Sequence, residues 1–509
     1  MIRVLRWLCA VLLGLAPVTP AVADWHEARS AHFLIYADLD PVELKAYAER
    51  LERFDKAVRT VRAMEDPPLT DSQRLTIYAL RNENAIEKLA GSGVAGFYSA
   101  RVSGAVAFVP RRAGSSHTKL DLDTQTIFFH EYAHHLQLQT VNLALPAWVR
   151  EGFAEFFATA RIDNDGSVLI GSPPLHRAWG LNLAMGLSFE SILGGTYGQL
   201  NDLGQEQLYG RGWLLIHYLT FERTRKGQLT RYLVGIQNGL TALEAAKAAF
   251  GDLQVLHRDL NRYLRGKLTG IRIEASRLAV GQVAIRALTP AESAIMDVRI
   301  RSKRGVSAKT APAVAADARK AAAPYPHDPF VQGTLAEAEY DAGNYAAAEA
   351  AADRALATDP NHVHALIYKG RAQMEIAAAN PKAADWKAIR AWFTKANKLD
   401  TENAEPLVLF YLTYLGAGTP PTKNAVDGLL YSVTLVPQDD GARLLAVRRL
   451  LAEGRLAEAK PLFAPLAFNP HASGQWRETT SKVMKAIVDG DAAGALRALD
   501  GTEKGGSAS

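Results

Sequence analysis

His130-Glu131-Tyr132-Ala133-His134 is followed, 17 positions after His134, by Glu151 within Pro146-Ala147-Trp148-Val149-Arg150-Glu151-Gly152-Phe153-Ala154-Glu155. Residues four apart on a helix share a face, so His130 and His134 can aim two imidazole nitrogens at one point. Zinc takes such nitrogens, and a catalytic zinc site needs three protein ligands and one open position. The third ligand must come from elsewhere, and Glu151 is the candidate. Glu131, beside the first His, is placed to take a proton from water. Glu155 lies one turn after Glu151 and suits the spare N–H of a ligand His, which it would hold in one tautomer.

The flanking residues support this. Ile127, Phe128, Phe129, Tyr132, Leu136 and Leu138 make the first helix apolar nearly all round. Asp123 or Thr124 suits its N-cap, and Pro146 suits the first turn of the next helix.

Together the two motifs resemble the gluzincin metallopeptidases, more narrowly a peptidase-MA-like domain, over about residues 25–270. The resemblance implies an α+β zincin-like catalytic domain in which His130, His134 and Glu151 hold Zn2+, Glu131 is the general base and Glu155 supports a ligand. The aminopeptidase branch usually has Asn before the ligand Glu, where this chain has Arg150. In zincin folds an edge strand beside the active-site helix pairs with extended substrate; by position, Gly104 to Val109 is the candidate, with Gly104, Ala105 and Val106 at its start. Related enzymes place a Tyr or His from a later helix near the attacked carbonyl oxygen, which makes Tyr209 the first candidate for that donor and His217 the second. His135 is one residue off the metal face of its helix, and His117 reads as a loop residue.

The chain has 509 residues, enough for about two to four domains. Residues 1–23 read as a cleaved secretory signal, with Arg3 and Arg6 before an apolar core and Ala21-Val22-Ala23 before Asp24. Cleavage would place the protein in the periplasm or outside the cell. It would also remove Cys9, the only cysteine, which excludes thiolate ligands and cysteine catalysis. The 56 remaining basic side chains face 53 acidic ones, a net charge of +3, too mild to suggest nucleic acid. No later run is apolar enough to span a bilayer.

Residues 24–120 read as the N-terminal α/β lobe. His32–Tyr36 and Arg74–Leu80 are predicted strands, Leu44–Met64 and Glu83–Leu89 helices, and Phe97–Arg101 with Ala105–Val109 a strand pair. Residues 121–270 form the zinc-binding lobe, with a hairpin over 162–170 turning at Asn164-Asp165-Gly166 and residues 171–207 covering the cleft. Residues 271–305 read as a strand-containing connector, in which Ile271 and Ile273, and Val283 and Ile285, alternate at a strand's period, ending in a basic run, Arg299 to Gly305, read as the solvated end of a helix. From 306 to 500 the composition is Ala-rich and helical. Asp341-Ala342-Gly343-Asn344-Tyr345, with Ala348, Ala355 and Pro360, fits a 34-residue helix–turn–helix repeat. The expectation is an all-α tetratricopeptide-like solenoid with a concave face for a peptide or protein partner, followed by a polar tail over 501–509. Two other functions fit the same residues: a periplasmic assembly factor or chaperone with a structural or vestigial metal site, and a hydrolase of a non-peptide amide such as a cell-wall link.

Overall fold

A computed structural model describes residues 25–92, 94, 96–111, 124–140, 145–181, 186–195, 200–467 and 474–503. The expected signal segment, Asp123, His117 and the last six residues lie outside these. An N-terminal α/β region with a mixed sheet precedes a long all-helical region. Among the described residues no helix is long and apolar enough to cross a membrane.

The α/β region contains β1 (His26–Arg29), β2 (Phe33–Ala37), α1 (Pro41–Arg62), β3 (Leu75–Leu80), α2 (Glu83–Ala90), β4 (Phe97–Ser99) and β5 (Val106–Pro110). Then come α3 (Thr124–Thr140), α4 (Ala147–Ala158), β6 (Arg161–Ile162), β7 (Val168–Ile170), α5 (Phe189–Gly194), α6 (Asp202–Phe221), α7 (Gln228–Gln237), α8 (Ala242–Phe250) and α9 (Leu253–Leu264). Last are β8 (Ile271–Ile273), β9 (Ala284–Ala287) and α10 (Pro290–Arg304).

The main sheet has the order β4-β5-β3-β2-β1-β9. The pairs β2–β3 and β3–β5 are parallel; β4–β5, β1–β2 and β1–β9 are antiparallel. Its central strands are apolar throughout because both faces are covered. Phe33, Ile35, Leu75, Ile77, Ala107 and Val109 face one core, shared with α1, α3, α4 and α6. Leu34, Tyr36, Tyr78, Val106 and Phe108 face the other, under α2 and α10. The expected hairpin over 162–170 forms, and β8 extends it to a three-stranded sheet.

Three expectations need correction. The strand starting at Val106 is interior, because β4 and β3 flank β5 on its two sides; Val106 pairs with Ser99 and Thr76, so its backbone has no free edge for substrate. Ala105 is buried, and Gly104 precedes the strand. The free edge on that side is β4. Residues 271–305 do more than connect: the strand expected from alternation at Val283 and Ile285 forms as β9 and closes the far edge of the main sheet against β1. Nor is the basic run solvated along its length, although Arg304 is exposed. The Arg299 guanidinium lies over the rings of Tyr36 and Phe330 and donates to the Tyr78 hydroxyl, while Lys303 pairs with the buried Glu337. Apolar and aromatic surface from the sheet and the next helices claims these side chains.

Helices then follow at 311–322, 329–341, 345–358, 363–378, 386–399, 404–416, 423–435, 440–452, 456–467, 474–488 and 492–503. Gly343 turns the chain at positive φ, and Ala348 and Ala355 are fully buried between helices. The last helix reaches Glu503, beyond the expected start of the tail. Each helix packs on the next, and α10, 329–341, 363–378 and 404–416 also touch in succession.

Under α1 lies a buried ionic network that ties the sheet to α3. His32 Nδ1 meets Glu52 at 2.8 Å and Asp55 at 3.4 Å, and its Nε2 meets Asp66 at 2.9 Å. Arg59 and Lys56 pair with the same acids, so the cluster is already charge-compensated. Burial pulls the His32 pKa down, but the Glu52 hydrogen bond and the Asp55 charge outweigh it, and the pKa ends raised above 6.5. A raised folded-state pKa contributes stability that is complete below the unfolded value and is lost as pH rises through the folded value. The stability margin of the native chain over His32→Gln is therefore expected to shrink as pH rises above about 6.5. Urea unfolding of both proteins from pH 6 to about 9 checks this; a margin that is flat or grows would contradict it.

Candidate metal centre

α3 and α4 pack against each other and bring the two motifs together. α3 is pinned from behind. The Phe129 and Phe54 rings stack with centroids 3.7 Å apart, and the Tyr132 hydroxyl donates to Asp55 at 2.8 Å. This leaves His130 and His134 on the opposite side of the helix, with only 12% and 14% of each side chain exposed.

The three expected ligands meet. His130 Nε2 is 3.5 Å from Glu151 Oε2, His134 Nε2 is 3.3 Å from the same oxygen, and the two nitrogens are 3.1 Å apart. Donors at 2.0–2.1 Å from a tetrahedral zinc would be separated by about 3.3–3.4 Å. The observed triangle has that size, and among the described residues these three form one of two His/acid groups whose donor atoms lie within 4.8 Å of one another. The other is the His32 cluster, where two cations already stand against the acids.

Glu155 takes its expected position. Its Oε1 lies 3.3 Å from His130 Nδ1, which directs the His130 Nε2 lone pair toward Glu151. Sequence reasoning missed two further partners. His176 Nε2 meets Glu155 Oε2 at 3.0 Å, and Arg177 Nε donates to Oε1 at 3.0 Å. Both come from a short turn at 175–177. That turn sits close to α6: a Cβ on Gly180 would lie 1.9 Å from the Glu206 carbonyl oxygen, and one on Gly210 2.8 Å from the Gly180 backbone. Nothing local in the sequence links His176 or Arg177 to an acid more than 20 positions earlier.

Glu151 is fully buried and Glu155 almost so. Burial raises the Glu155 pKa, but hydrogen bonds from His130 and His176 and the Arg177 charge hold it well below the usual carboxylate range. Burial pulls down both His130 and His134; for His130 the two carboxylates outweigh it and push its pKa up to about 10, while His134 ends lowered. Two buried carboxylates facing two imidazoles create a strong local demand for positive charge, which a divalent cation among the donors would meet.

Tyr209, from α6, joins the centre. Its ring stacks on His130 with centroids 5.7 Å apart, the Arg177 guanidinium lies 4.8 Å from its ring centroid, and its hydroxyl is close enough to feel the Glu151 charge. Burial and the Glu151 charge raise its pKa far above the ordinary phenol value, so it stays a proton donor. His217 is elsewhere. It is buried, bonded to the Tyr263 hydroxyl at 2.9 Å and the Thr269 carbonyl at 3.0 Å, and packed on Trp213 and Phe221. His135 is likewise off the centre, stacked on Tyr132 and bonded to the Tyr98 hydroxyl at 2.9 Å. Gly104, Ala105 and Val106 are not brought to the donors; the first two line a separate cavity of about 790 Å³ between α1, α4 and the helical region. Glu131 is partly exposed on α3. No protein-family model matches this chain, and no curated protein matches it either.

Proposed function

We propose that the chain is an exported zinc-dependent metallopeptidase of the gluzincin kind, a zincin-like domain carrying a tetratricopeptide-like solenoid that docks substrate or a partner. The single observation that carries this reading is the triangle of His130, His134 and Glu151 donors, whose edges of 3.1–3.5 Å suit one tetrahedral zinc. Zinc bound there supplies Lewis-acid polarisation of a carbonyl and makes water acidic near neutral pH.

The chain's own residues do the rest. Glu131 takes a proton from the attacking water and passes it to the leaving amine nitrogen as the C–N bond breaks. Tyr209, held protonated beside Glu151, donates a hydrogen bond to the carbonyl oxygen as negative charge builds there. Glu155 fixes the His130 tautomer, and His176 and Arg177 fix Glu155.

The test is metal content together with cleavage. Protein refolded with zinc and dialysed is expected to hold about one zinc per chain by elemental analysis and to cleave casein. Glu151→Ala is expected to weaken zinc binding by more than the roughly 10–100-fold cost of losing an outer partner. A zinc-free native protein, or full zinc affinity in Glu151→Ala, would overturn the reading.

A further inference from the structure

Arg150 precedes Glu151 on α4. Its side chain is 19% exposed, and its Nε is buried without a hydrogen-bond partner among the described residues. Its one ion pair among them is long, 3.8 Å from Nε to Glu151 Oε1. Two guanidiniums near the centre are engaged by carboxylates instead: Arg177 with Glu155 and Glu206, and Arg59 with Asp55. Glu151 does not fill the same role for Arg150, because its other oxygen faces the two imidazoles. A guanidinium presents five donors in a rigid fork, and leaving a buried one such as this Nε unmatched is costly.

The position of this group is informative. Its charge acts on His134 on one side and on Asp440, the first residue of helix 440–452, on the other. Asp440 stands outside ion-pair distance. Gln438, in the turn before that helix, stands near Tyr98 of the free edge strand β4, and the Tyr98 hydroxyl feels the charge of Glu131. Arg150 thus stands beside the donor cluster, its Nε 3.8 Å from the outer oxygen of Glu151.

We propose that Arg150 is a specificity-determining residue that receives a substrate carboxylate, supplied either by the C-terminus of a peptide or by an acidic side chain beside the bond to be cleaved. The proposal rests on the peptidase reading above. A planar fork pairs with a carboxylate through two parallel hydrogen bonds, which Lys or Gln cannot reproduce. Such a contact next to the donors would set where along a chain the bond to be cleaved can sit.

The competing role for Arg150 is to tune Glu151, and the experiment separates the two. Zinc-loaded full-length protein carrying Glu131→Gln is titrated with three fluorophore-labelled Ala-rich decapeptides: one with a free C-terminus, its C-terminal amide, and an amide with one internal Glu. Adding Arg150→Gln is expected to weaken whichever carboxylate peptide is recognised by about tenfold or more, to leave the plain amide within about twofold, and to leave zinc affinity unchanged. The carboxylate peptide that responds identifies the source. Equal losses for all three, no loss for any, absence of binding, or a fall in zinc affinity would overturn the proposal. If carboxylate selectivity appears but native protein cleaves none of the peptides, the peptidase reading fails and the binding role stands. If cleavage proceeds without selectivity, the binding role fails alone.

Discussion

Glu131→Gln is expected to keep zinc and lose hydrolysis, with the rate of casein cleavage falling by about 10²–10⁴-fold. The substitution changes almost no volume and removes a proton acceptor. The fold around it should hold, because α3 is fixed by neighbours other than Glu131: Phe129 on Phe54, and the Tyr132 hydroxyl on Asp55. The donors should hold too, since Glu151 and Glu155 orient the imidazoles from α4. Zinc content by elemental analysis and initial rates on the same preparation give the two readouts. Unreduced cleavage with zinc in place would remove Glu131 from the mechanism. A protein working through its helical region alone would behave like wild type in any holding assay, so the variant also separates that function from hydrolysis.

The second large effect concerns backbone packing. A Cβ built on Gly152 would stand 2.4 Å from the carbonyl carbon and oxygen of Gly212, and one on Gly212 would stand 2.7 Å from the Trp148 carbonyl oxygen. These are backbone atoms that no side-chain rotation can move, so Gly152→Ala forces α4 and α6 apart. The expected cost is about 3 kcal/mol, the upper part of the usual range for overpacking, seen as a fall in melting temperature on the order of 10 °C. The effect should reach the metal centre. Glu151 and Glu155 ride on α4 and Tyr209 on α6, so spreading these helices separates the Tyr209 hydroxyl from Glu151. Gly281→Ala is the control: its Cβ would meet nothing within 4 Å, and little change is expected. Equal melting temperatures for the two variants would show that the close approach of α4 and α6 does not exist.

Much of the centre was legible from spacing because helical geometry is local. Two His four apart must share a face, and so must Glu151 and Glu155, whatever surrounds them. The strands over 33–37 and 75–80 were legible because β-rich residues cluster there, the first read from alternation although all of Phe33–Ala37 is buried. The exclusion of His135 also followed from helix geometry, and the structure turns that ring to Tyr132 and Tyr98.

What the chain's order could not reveal depends on partners distant in sequence. Whether a strand is an edge depends on which segments pair with it, and β5 gained a neighbour on each side. β9 joined β1 across more than 250 positions, and no periodicity within either segment records that pairing. The basic run of α10 looked solvated because its own neighbours are polar, yet the aromatic faces that receive Arg299 come from β2, β3 and a later helix. His176 and Arg177 reached Glu155 because glycines let a turn settle on α6. Sequence alone determined the donor types and their faces, since those follow from rise and twist per residue. Only tertiary structure decided that the Glu151 oxygen comes within 3.5 Å of both imidazoles and that Tyr209, not His217, stands beside them, because those distances arise from the close packing of α3, α4 and α6.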